Sequence, residues 1–71
     1  MRTDSVDIII NGQPRQVADE SSLAGAVTLV TAAVTGVAAA VNGEVVRKAA
    51  WTSTRLTAGD QVEIVTAVQG G

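Results

Sequence analysis

The chain has no cysteine, no histidine, no phenylalanine and no tyrosine, and its 71 residues include one proline and one tryptophan. Without cysteine there is no thiol nucleophile, disulfide, iron–sulfur ligand or thiolate zinc site. Without histidine there is no imidazole to move protons near neutral pH. The chemistry that remains belongs to carboxylates, hydroxyls, a few cations and the chain ends, so no catalytic residue, no metal site and no bound cofactor are expected. Cations are also scarce: five Lys and Arg stand against seven Asp and Glu, a formal net charge of −2. With neither a basic field nor an aromatic stacking platform, nucleic acid is not an expected partner. Length sets a further bound. A chain of this size makes one domain and buries only about 60% of its unfolded surface, which leaves no room for an enclosed active site of ordinary size.

No charged residue occurs between Glu20 and Glu44, and the stretch from Leu23 to Val41 is mostly Ala, Val and Leu. Its length would fit a bilayer. Against this, Gly25, Thr28, Thr31, Thr35 and Gly36 interrupt it, and its flanks are acidic rather than basic. The run therefore reads as a buried helix that breaks near Gly36 into a strand, with no membrane partner. The N-terminus, Met1 to Ser5, lacks the apolar block of a secretory signal, so a cytoplasmic location is expected.

Along the chain, Val6, Ile8 and Ile10 alternate with Asp7, Ile9 and Asn11, the period of a strand with one face on a core. Asn11-Gly12 tolerates positive φ and predicts a two-residue turn from strand Val6–Ile10 into Gln13–Val17. Pro14 cannot donate to a ladder, which places it at the start of that strand or on an unpaired side. Ser21 or Ser22 can cap a helix running from about Ser22 to Ala33, with Leu23, Ala26, Val27, Val30 and Ala33 or Val34 along one apolar face. Gly25 and the β-branched residues make it weak, so packing must hold it, and Gly36 suits the left-handed residue that ends it. A strand at Val37–Val41, a second turn at Asn42-Gly43 and a short strand at Glu44–Val46 follow. Arg47 to Thr54 reads as irregular, and after a turn at Ala58-Gly59-Asp60 comes a last strand, Gln61 to Thr66.

Hairpin, helix, strand, short strand and final strand make an α+β fold in which a mixed sheet packs on one helix. This is the ubiquitin-like β-grasp order, with the first and last strands central and parallel. Residues 1–66 then form the domain, and residues 67–71 form a flexible tail ending in Gly70-Gly71. A carboxylate is a poor electrophile, but an ATP-dependent partner can turn it into an acyl-adenylate, from which a sulfur donor can displace AMP. Such a terminus must thread a narrow cleft, and glycine fits because it has no side chain and takes angles closed to other residues. A Gly-Gly end can equally be a frayed terminus; its position five residues beyond a final strand favours the chemical reading.

The stretch VAAAVNGEVV at 37–46, Trp51, and LTAGDQVEIVTAVQGG at 56–71 resemble the ThiS family, the sulfur carriers of thiamin thiazole biosynthesis. The resemblance starts at the IIIN of residues 8–11 and is most specific over the last sixteen residues. Arg47-Lys48 departs from it, since family members often carry Pro-Arg there. The resemblance implies that the carboxylate of Gly71 is adenylated by a ThiF-like enzyme using ATP. A sulfurtransferase or cysteine desulfurase then supplies sulfur, and a ThiG-like thiazole synthase receives it from the thiocarboxylate. On this reading Gly71 carries the sulfur, Gly70 gives access, and Gln69 and Val68 are gripped by partners. The chain itself is then no enzyme but a co-substrate, monomeric when free. The alternatives are a molybdopterin-type carrier, a ubiquitin-like protein modifier and a plain interaction module.

Other residues carry less. Trp51 is either a partner anchor or, as the lack of Phe and Tyr favours, a cover for one edge of the core. Asp60 and Glu63 read as a turn aspartate and an outward strand glutamate, Arg47 and Lys48 as a solvated loop. Asp4, Asp7, Asp19 and Glu20 have no spacing typical of a metal site.

Overall fold

The computed structural model describes residues 5–32 and 35–66. In chain order the elements are β1 (Ser5–Ile10), β2 (Gln13–Ala18), α1 (Leu23–Val30), β3 (Val37–Val41), β4 (Glu44–Val46), a 3₁₀ helix (Lys48–Ser53) and β5 (Gln61–Thr66). The sheet order is β2-β1-β5-β3-β4. As expected, the first and last strands are central and parallel, with Ile9 beside Gln61 and Ile10 beside Val62. Pro14 lies on β2, an edge strand, where a missing N–H toward solvent breaks no ladder. Both turn asparagines, Asn11 and Asn42, take φ 52°, and each is followed by a left-handed glycine, as the primed turns require.

The helix covers one face of the sheet. Period-two alternation sends Ile8, Ile10, Val62 and Ile64 toward it, and Ala39 and Val17 join them from the flanking strands. From above, Leu23, Ala26 and Val27 meet them, and Leu56 and Trp51 close the remaining sides. Each large aliphatic side chain buried in this way contributes about 1.5–3 kcal/mol. The helix start is pinned: Ser22 Oγ accepts from Gly25 N–H, Leu23 N–H donates to Thr54 C=O at 2.7 Å, and Leu56 N–H donates to Ser21 C=O at 3.0 Å.

Two local expectations are corrected. The helix ends at Val30 rather than Ala33: Thr31 is already extended, at φ −149° and ψ 149°, while its N–H still reaches Val27 C=O. Leu29 and Val30 are 48% and 38% exposed, so no core lies beneath this last turn to offset its poor propensity. Gly36 is left-handed, at φ 70°, but it precedes β3 and does not cap the helix. Ala33 and Val34 lie outside the described residues. The second correction is the segment read as irregular, which forms the 3₁₀ helix. Ala50 N–H bonds Arg47 C=O, the Thr54 hydroxyl donates to Ala50 C=O at 2.7 Å, and the Trp51 indole N–H donates to Val46 C=O at 2.8 Å. Trp51 is 7% exposed: it is the core cover, its one polar atom met by backbone. Among the described residues no helix is long and apolar enough to cross a membrane.

Candidate functional site

Val68, Gln69, Gly70 and Gly71, the residues to which the sequence assigns the chemistry, lie outside the described residues. What the structure defines is the platform from which they continue, strand β5. On one side β5 pairs with β3 along most of its length, from Val62 beside Val41 to Thr66 beside Val37. On the other side β1 reaches only Gln61 and Val62. There the side chain of Asn11 takes over: its Oδ1 accepts from Ile64 N–H at 2.9 Å and its Nδ2 donates to Ile64 C=O at 3.1 Å.

The start of β5 is tied by a second carboxamide. Asn42 Oδ1 accepts from Gln61 N–H at 2.9 Å, and Asn42 Nδ2 donates to Asp60 Oδ1 at 3.1 Å. Asp60 Oδ2 also accepts from Thr57 N–H at 2.8 Å. Burial raises the Asp60 pKa, but the bonds from the Thr57 backbone, the Asn42 amide and the Thr57 hydroxyl outweigh it and hold the carboxyl below its ordinary value. Asp60 is thus the brace of a turn, the ordinary role read for it. Glu63 points out from the sheet and is exposed.

Among the described residues nothing covers the sheet face away from the helix. Register places Val65 opposite Ala38 on that face, and Ala40 between Glu63 and Val45. Val65 is 62% and Val45 81% exposed. On the helix side two open grooves indent the surface, one of about 300 Å³ beside Arg15 and Leu29, the other of about 460 Å³ beside Val27 and Trp51. Neither is lined by a carboxylate, and among the described residues no group of three or more metal-ligating side chains occurs.

Sequence reasoning missed two features of this platform. Asn11 was legible only as a turn residue, because its partner Ile64 lies 53 positions away. The alternation of Val62 and Ile64 with Glu63 and Val65 already turns Val65 outward, but the face of Val45 follows only from its register opposite Ala40.

A five-stranded mixed sheet with parallel central strands, packed on one helix and with its last strand held from both sides, defines the ubiquitin-like β-grasp class. The comparisons with known proteins agree. The ThiS family profile matches residues 8–71. The crystal structure of the thiamine biosynthesis protein ThiS from Geobacter metallireducens superposes with a TM-score of 0.77 at 29% identity, covering 93% of this chain and 100% of that one. None of the curated proteins compared with the chain matches it. The chain belongs to the ThiS family, whose role is that of a sulfur carrier.

Proposed function

We propose that this chain carries sulfur for thiazole formation in thiamin biosynthesis, as a co-substrate of other enzymes, on the carboxylate of Gly71. A ThiF-like partner adenylates that carboxylate with ATP and releases pyrophosphate. The terminal sulfur of a persulfide on a sulfurtransferase or cysteine desulfurase then displaces AMP. Cleavage of the resulting acyl disulfide to the thiocarboxylate takes a second thiol, which a partner must supply because this chain has no cysteine. A ThiG-like thiazole synthase accepts the sulfur. Residues 67–71 act as a flexible tail on a domain formed by residues 1–66, with Val68, Gln69 and Gly70 threading the partner's cleft. The protein works in the cytoplasm and is monomeric when free.

The observation that carries this reading is the family match, which extends through the terminal Gly70-Gly71. The exposed Val65 supports it: one residue before the end of β5, it offers apolar contact area to a partner. The test is intact-mass analysis after incubation with ATP, the ThiF-like enzyme and a persulfide donor, beside a variant lacking Gly71. A gain equal to replacing one oxygen by sulfur, in the full chain alone, is expected. No gain, with the enzyme active on another carrier, refutes the reading. Transfer of that sulfur to a thiazole synthase, and not to a molybdopterin precursor, separates the two carrier branches.

A further inference from the structure

Strand β1 stops before β5 does, and one side chain finishes its work. The β1–β5 ladder covers Gln61 and Val62, and Asn11 N–H adds a bond to Val62 C=O at 2.9 Å. One step further along, the neighbour of β5 is the Asn11 carboxamide, which meets both backbone groups of Ile64 at 2.9 and 3.1 Å. Ile64 is 4% exposed, and buried backbone groups of this kind need a partner. Asparagine suits the place for two reasons. It tolerates the φ of 52° found here, and its amide carries the donor and the acceptor that a missing strand residue would have supplied.

We propose that Asn11 is a positioning residue for the chemistry at Gly71. By holding Ile64 it ties β5 on the β1 side two residues before its end, while β3 holds Val65 and Thr66 on the other side. It thereby sets the point from which residues 67–71 enter a partner's cleft. Without it, the end of the strand hangs on β3 alone and frays, and the point from which residues 67–71 continue is no longer fixed. This rests on the sulfur-carrier reading. Asn42 supplies the control, with the same φ of 52° and a following glycine, because it ties Gln61 at the start of β5 rather than its end.

The experiment compares Asn11→Gly, Asn42→Gly and Asn11→Asp with the full-length wild type. The readouts are single-turnover adenylation by the ThiF-like enzyme and hydrogen exchange of the Ile64 amide. All three replacements tolerate the positive φ, so the turns are retained. Asn11→Gly is expected to speed Ile64 exchange and to lower the rate at saturating carrier by about tenfold, with half-saturation unchanged. Asn42→Gly leaves the saturated rate at the wild-type value. Asn11→Asp, which keeps the acceptor for Ile64 N–H, recovers part of the rate and serves as the test should Asn11→Gly not fold. Loss of stability alone would act differently, reducing the folded carrier and raising half-saturation without lowering the saturated rate. An unchanged saturated rate in both Asn11 variants, or an equal fall in Asn42→Gly, overturns the proposal. A wild-type chain that is not adenylated by an enzyme active on another carrier overturns the carrier reading itself.

Discussion

Replacing Leu56 with alanine tests the account of the core most directly. Leu56 is completely buried, as is Leu23 in the same cluster. Around it the backbone has little freedom to close a hole: Leu56 N–H is tied to Ser21 C=O at 3.0 Å, and Leu23 N–H to Thr54 C=O at 2.7 Å. Leu→Ala at buried sites costs about 2–5 kcal/mol, more where the surroundings cannot collapse, so a loss of about 3–4 kcal/mol is expected. A 71-residue domain has a total stability of roughly 4–10 kcal/mol, so this one change removes a third or more of it. Trp51, the only aromatic residue of the chain, is 7% exposed when folded, and its fluorescence follows urea unfolding without interference. At a slope of about 1 kcal/mol/M the midpoint should fall by about 3–4 M. Val45→Ala, at a site 81% exposed, should shift stability by less than about 0.5 kcal/mol. A loss below about 1 kcal/mol for Leu56→Ala would refute the reasoning, since no rigid, filled cavity would then surround that side chain.

Gly25 lies inside α1 with an ordinary φ and open space where a Cβ would stand. Gly25→Ala should therefore stabilise the fold by about 0.5–1 kcal/mol, seen as a higher thermal midpoint. Asp60 has a folded pKa below its ordinary value, so its contribution is complete above the unfolded pKa and lost as pH falls through the folded one. Unfolding followed below about pH 4 should show that decline, and Asp60→Asn should remove this part of the slope. Val65→Asp places a charge on the outer face, where it meets water in the free protein. The thermal midpoint should stay near wild type while adenylation at limiting carrier falls; normal adenylation would show that partners do not use this face.

The strands of this protein are legible in its sequence because their signals are local. Alternating Val6, Ile8 and Ile10, the two Asn-Gly turns and the final Gln61–Thr66 segment each act over a few residues, and the strands form at or within one residue of those bounds. Their order was enough for the β-grasp arrangement, since few topologies bury one helix face against such a sheet. The helix end was not legible, because apolar spacing continues past Val30 while the core beneath it does not. Nor was the 3₁₀ helix, whose Trp51 packs into the core and donates to the Val46 carbonyl. The chemistry proposed for Gly71 comes from the sequence alone, as part of a family pattern. Only the tertiary structure decided how the strand before it is held. A carboxamide at Asn11 and a backbone at Ile64 meet only after the first and last strands lie side by side, and no local pattern records which distant residue a turn side chain will reach.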